Sequence, residues 1–398
     1  MKTTTRKRIL SILLTLALSL GLLALAPVTA HAAGPVNPTP TTTWNFTAVD
    51  TDGSGNYNDG SWTWVQATKT LTLTNISYTT TAATALRLPG DATIVLSGTN
   101  AITSTFSNNS PSFGILHNHG DFTITGGGSL NVRSGTDTSS SFGESTGIKC
   151  SSTTTDSDKT FTIRGGATVT AAGGTTNTSH CYSWGYCGQN LVIMPGSTLT
   201  ATGYTEAISL HMIGASTTIP SGATYYVNTT TAPSTTPLAG DGLTTVFDSS
   251  HKYVKIVYPI ALTAGSVSRT SDTAATINFT ANMEGTAYYA VLDSGAAAPS
   301  AALVKSGGTS LGIVTAGATS GRAVTLTAGA KDIYVVLEAL GGLLSAPLKI
   351  SVAAFGGGGG TDPGANYIKL WGKTTKYLSN FGNWLLVIFC FGWIWMAF

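Results

Sequence analysis

The chain has 398 residues, room for two or three domains. Only 10% are charged, 20 Lys and Arg stand against 18 Asp and Glu, and 47 residues are glycine, above the usual share of about 7%. That balance excludes a helical bundle, a coiled coil and a charged disordered chain. Residues 33–360 hold thirteen basic against seventeen acidic residues. Such a body repels a polyphosphate, so no nucleic-acid partner is expected.

Residues 1–32 read as a cleaved signal helix. Lys2, Arg6, Lys7 and Arg8 precede the uncharged run Ile9 to Leu25, and Ala30-His31-Ala32 supplies small residues at a peptidase site. The other reading is an N-terminal membrane anchor. A short linker, 33–43, leads to Trp44.

Within the domain expected over 44–258 the sequence repeats a three-strand phrase, which lapses after Tyr225 into a loop at Thr229 to Pro237 and a strand at Tyr253 to Tyr258. Gly114-Ile115 is followed by Phe122-Thr123-Ile124 and Leu130-Asn131-Val132. Gly147-Ile148, Phe161-Thr162-Ile163 and Val169-Thr170-Ala171 repeat it. So do Gly185-Tyr186, Leu191-Val192-Ile193 and Leu199-Thr200-Ala201. Ala85-Leu86 opens an earlier round, and Ala207-Ile208 a weaker last one, whose third strand is expected at Ala223 to Val227. A constant kernel with uneven spacing predicts a right-handed parallel β-helix, in which each strand pairs with its equivalent in the next coil. An antiparallel sandwich or barrel is the competing arrangement. Trp44 to Trp64, rich in turn residues and aromatics, is expected to cap the first coil.

After Pro259 the grammar changes. Thr276-Ile277-Asn278-Phe279-Thr280 and Lys349-Ile350-Ser351-Val352 alternate, while Tyr288 to Leu292 and Ile333 to Leu337 are more continuously apolar. About seven strands over 259–354 predict an immunoglobulin-like β-sandwich. Residues 355–380 form a Gly-rich, then basic, linker. Residues 381–398 are uncharged and contain Trp384, Trp393 and Trp395. As a C-terminal hydrophobic helix they would extend about 27 Å, close to a ~30 Å hydrocarbon core. The expectation is an all-β exported protein, at the cell surface or extracellular, held to the membrane by its tail. The tail has no LPxTG motif and no basic terminus, so sortase attachment is not expected.

The repeat phrases resemble the β-helical modules of Gram-positive secreted and surface proteins described as carbohydrate-binding-domain-containing. Residues 260–354 are similar to the immunoglobulin- or fibronectin-III-like modules that accompany them. The resemblance implies contact with surface or extracellular glycans.

The titratable residues offer little chemistry. Asp91 and Asp121 occupy equivalent places and stack one coil apart, which suits either a carboxylate pair for hydrolysis or ordinary turn chemistry. Arg87, Arg133 and Arg164 are scattered over different turns, so no basic residue groups with the acids as a lyase requires. Asp156 and Asp158 lack the further ligands that calcium needs. His117 and Cys150 are equivalent in adjacent rounds, but neither CxxC nor HxxxH spacing supports zinc. Cys150, Cys181 and Cys187 allow one disulfide and one thiol, with the pairing open. No cofactor, no metal and no catalytic residue is assigned.

Cys181-Tyr182-Ser183-Trp184-Gly185-Tyr186-Cys187 is more suggestive, because flat aromatic faces pack against pyranose rings. In an extended strand Tyr182, Trp184 and Tyr186 would share one face. The register of Ile115 and Ile148, however, sends Tyr186 inward. Tyr182 and Trp184, on an exposed loop, are therefore the ligand-binding candidates. The expected function is a non-catalytic, carbohydrate-binding or adhesive surface protein. The alternatives are a polysaccharide lyase or glycoside hydrolase, and a structural stalk.

Overall fold

The computed structural model describes residues 34–139, 143–151, 159–175, 181–188, 190–210, 217–218, 221–239, 244–245, 249–339, 341–356, 367–370 and 373–376. The expected leader, the 381–398 tail, Asp156 and Asp158 lie outside them. The fold is all-β, with one short α-helix and one 3-10 turn among the described residues. Contacts divide the chain into two compact units, the first running to Pro259 and including Leu340–Leu343, the second comprising Ile260–Ala339 and the residues from Leu344 onward.

In the first unit the chain visits three sheets in turn. The strands Thr84–Leu88, Ser112–His117, Glu144–Cys150, Tyr182–Gly188 and Glu206–Leu210 pair side by side in the first sheet, all parallel. Thr70–Thr74, Thr93–Ser97, Phe122–Thr125, Thr160–Ile163 and Asn190–Ile193 do the same in the second. The third holds Ser77–Thr80, Thr99–Ser104, Ser129–Arg133, Thr168–Ala172 and Thr198–Thr202. Equivalent phrases meet residue for residue: Ile115 lies beside Ile148, which lies beside Tyr186, and Phe122 beside Phe161.

Alternation along the strands of the second and third sheets sends every second residue into one continuous core, while the strands of the first sheet break the alternation around their glycine. Leu71, Ile94, Ile124, Ile163, Ile115, Ile148, Val132 and Val169 are all fully buried there. The outward residues are mostly hydroxylic, and Thr99, Ser129, Thr168 and Thr198 form one column across four strands of the third sheet.

Aligned glycines mark the corner between the first and third sheets. A Cβ on Gly147 would lie 2.7 Å from both Ala172 N and Gly185 O, and one on Gly185 would lie 2.5 Å from Thr202 N. Neither backbone can retreat, so the recurring Gly of the repeat phrase is a close-approach requirement. A buried serine stands two residues before each: Ser112, Ser145 and Ser183 pair in register. Their hydroxyls take the backbone N–H groups of Gly135, Asp137 and Tyr204 respectively, tying down the incoming turns.

Both ends of the stack depart from the parallel pattern. Gly53–Tyr57 and Gly60–Val65 form an antiparallel hairpin that pairs through Gly60–Val65 with Thr70–Thr74. Trp44 itself is a strand residue beside Leu86 in the first sheet. Trp44, Phe46, Trp62 and Trp64 are buried together, with ring centroids 4.8–6.1 Å apart. At the far end the third strand of the last round forms at Thr224–Asn228, as expected, but it does not pair with the preceding round. Tyr253–Val257 pairs antiparallel with Thr198–Thr202, and Thr224–Asn228 pairs antiparallel with Tyr253–Val257 in turn.

The second unit has two antiparallel sheets around a shared core. Leu262–Arg269, Ala274–Ala281 and Gly317–Thr325 form one. Thr309–Val314, Gly285–Asp293, Lys331–Glu338 and Leu348–Val352 form the other. Ile277, Phe279, Ala287, Ile333, Val335, Leu337 and Ile350 fill the space between them. The helix Ala301–Gly307, absent from the sequence reading, is capped by the Ser300 hydroxyl accepting from Leu303 N and buries Val304 against Tyr334 and Val336. Arg269 gathers one end of the unit, donating to the carbonyls of Ser271, Asp272, Thr327, Gly329 and Ala353. Within the stretch expected to be linker, Tyr367–Leu370 pairs antiparallel with Lys373–Lys376.

Candidate functional site

Residues at the same offset from the repeat glycine stack on the outer face of the first sheet. Thr146, Trp184 and Glu206 form one column, and Lys149, Cys187 and Ser209 another. Glu144 stands opposite Tyr182 at the start of their strands. These two columns bring charged and aromatic side chains from successive rounds together.

Tyr182 and Trp184 point outward together, their rings stacked at 4.9 Å and 10°. Tyr182 is 44% exposed, whereas Trp184 is only 4% exposed. The expectation of an exposed loop is corrected: both lie in the strand Tyr182–Gly188, and Trp184 is enclosed. Lys149 Nζ sits 5.4 Å from the Trp184 ring centre, a cation–π contact, and Trp184 Nε1 donates to Glu206 Oε2 at 3.2 Å. Trp184 is therefore the support and Tyr182 the presented face. Tyr186 is fully buried, tilted against Phe161. The bend at Gly185 lets Trp184 and Tyr186 face opposite ways although they are two residues apart.

Lys149 is held at three points. Its Nζ lies 2.9 Å from Glu144 Oε1 and donates to Cys187 Sγ at 3.2 Å, besides facing the indole. Glu144 Oε1 also accepts from Thr146 Oγ1 at 2.8 Å. Burial alone would lower Lys149, but Cys187 and Glu144 together leave it above the ordinary lysine value, so it stays an ammonium. Burial pushes the Cys187 thiol up to about 12, against the pull of Lys149. Tyr204, 46% exposed, lies just before the strand Glu206–Leu210, two residues before Glu206 as Tyr182 is before Trp184.

The other candidates resolve as structure. Asp91 Oδ1 accepts from Asp121 N at 3.0 Å, and Asp121 Oδ1 from Thr160 N at 2.9 Å, so each carboxylate fastens the next turn. His117 and Cys150 are register neighbours but face the core, His117 stacking on Phe122 at 4.8 Å. Cys150 is fully buried and its thiol is raised by burial. Among the described residues no three His, Cys, Asp or Glu side chains could share a metal ion, and Cys150, Cys181 and Cys187 form no disulfide with one another. Asp137, completely buried, accepts from the backbone N–H groups of Ser139 and Glu144. A cavity of about 390 Å³ in the second unit is lined by Val267, Arg269 and residues 351–356, but the Arg269 donors are already spent on carbonyls.

The sequence reading gave no role to Lys149, Glu144 or Glu206. The available signal was their offset from Gly147, Gly185 and Ala207, which puts them over Tyr182, Trp184 and Cys187 once the rounds are stacked.

No protein-family model matches this chain, and no curated protein is similar to it. Among solved structures it is similar to the glycoside hydrolase domain of Endo-D from Streptococcus pneumoniae R6. That likeness is 11% identical, covers 34% of this chain and 27% of the other, and has a TM-score of 0.18. It spans under a third of that structure and carries no inference about fold or activity.

Proposed function

We propose that this chain is a non-catalytic glycan-binding protein of the cell surface, whose first unit winds as a right-handed β-helix and whose second is an immunoglobulin-like spacer. The stacked Tyr182 and Trp184 pair carries the reading. An exposed phenol ring backed by a fixed indole is a flat apolar platform, suited to the C–H face of a pyranose. The carboxylates of Glu144 and Glu206 lie beside it as acceptors for sugar hydroxyls, and Tyr204 extends the aromatic edge. Support for the solenoid comes from three parallel ladders visited in the same order by successive rounds. Export by residues 1–32 and membrane association through 381–398 belong to the same proposal and rest on the sequence.

The test is a glycan array on the purified protein, run beside an assay for reducing ends released from several polysaccharides. Binding without release is expected. Tyr182→Ala should weaken the best ligand about tenfold, the loss of roughly 1.4 kcal/mol of stacking, while the circular dichroism spectrum stays unchanged. Unaltered binding in that variant overturns the assignment. Release of reducing ends would favour the lyase or hydrolase reading, and neither binding nor release a structural stalk.

A further inference from the structure

Lys149 and Cys187 are cross-strand neighbours in register, so the backbone ladder fixes their approach. The amine and the sulfur stand 3.2 Å apart, with the amine held from its other sides by Glu144 and the Trp184 ring. Cys187 is fully buried and Lys149 is mostly enclosed, its side chain 18% exposed. A small apolar oxidant reaches such a pair more readily than a second thiol does. The other thiols are placed differently: Cys150 faces the core, and Cys181 donates to the Ser139 carbonyl at 3.2 Å.

We propose that Lys149 and Cys187 are a modification site, at which dioxygen joins them through a single oxygen as an Nζ–O–Sγ cross-link. The thiol, the ammonium and one O2 give the bridged product, one water and one proton. The S–H bond and two N–H bonds break, the O–O bond breaks, and one N–O and one O–S bond form. Sulfur and nitrogen each give up two electrons, and the two oxygen atoms accept all four. Glu144, 2.9 Å from the nitrogen, takes the released proton. The bridged nitrogen carries no positive charge at neutral pH, so Glu144 then loses its ion-pair partner. Oxidation at this site stands apart from the ordinary thiol ladder, because sulfenic and sulfinic acids need no amine. It also stands whether or not the aromatic platform beside it binds a glycan.

The full chain, kept in air-saturated buffer and then digested, is read by mass spectrometry. The expected product joins the peptides of Lys149 and Cys187, with one oxygen more and two hydrogens fewer than their sum. It disappears on treatment with dithiothreitol and is absent from Lys149→Arg and from the near-isosteric Cys187→Ser. Cys187 recovered as free thiol, or oxidised only to sulfenic, sulfinic or sulfonic acid in the unsubstituted protein, overturns the proposal.

Discussion

Single side chains set the pH response of the first unit. His117 is wholly buried, stacked on Phe122, and neither ring nitrogen has a hydrogen-bond partner. Burial holds it down at about 4, with Asp91 opposing that shift. The unfolded chain binds this proton near pH 6.5, so acid favours unfolding. The stability linked to His117 is complete above about pH 6.5 and is lost progressively as the pH falls towards 4, by roughly 3 kcal/mol in all. Leu88 occupies the same column in the preceding strand. His117→Leu should therefore raise the melting temperature and flatten its decline between pH 6.5 and 4, measured by thermal denaturation. A decline as steep as that of the unsubstituted protein would exclude His117 as its source. Sequence identified His117 and Cys150 as neighbours in adjacent rounds; it did not say that both face the core, because inward and outward differ by one residue and the glycine bend shifts the count.

At the scale of elements, the inner ladder of rings decides how firmly rounds adhere. Phe122 and Phe161 stack at 4.9 Å and 14°, and Tyr186 tilts against Phe161 at 5.1 Å. Phe161→Ala empties the middle of that stack and should cost about 3–5 kcal/mol. Thr162→Ala, on the outer face of the same strand, should stay within about 0.5 kcal/mol. Equilibrium denaturation of the two variants checks the contrast, and equal losses would mean the rings are not a structural column. The short strands and their order were legible because buried Leu, Ile, Val and Phe recur beside turn glycines. The candidate site was legible only in part. Tyr182 and Trp184 are conspicuous in sequence, but Lys149, Glu144 and Glu206 reach them from other rounds. The helix Ala301–Gly307 was not legible: seven residues with one buried side chain leave almost no periodic trace.

For the whole first unit, the physical problem is the two exposed sheet edges that any open stack of parallel strands presents. An antiparallel hairpin and an aromatic cluster close one. At the other, Tyr253–Val257 runs against the direction of every parallel strand beside it, and Lys255 pairs with both Thr200 and Tyr226. Reversed pairing ends the repeat where a further parallel strand would otherwise continue it. Lys255→Pro removes an N–H from the centre of this closure. Soluble higher oligomers on size-exclusion chromatography are expected, with loss of the monomer peak. A monomer of unchanged stability would show that the reversed strand does not protect the edge.

The corner glycines carry a consequence for how this sequence can drift. Loops between rounds are free to lengthen or shrink, but Gly147 and Gly185 admit no side chain because main-chain atoms of neighbouring strands occupy the volume. Exhaustive substitution along the chain should therefore reveal a sparse set of forbidden sites at the pace of the rounds, separated by stretches that accept almost anything outward-facing. The shape of the molecule would be written in its tolerance of change, with alanine, ordinarily the mildest replacement, as damaging at those corners as any larger residue.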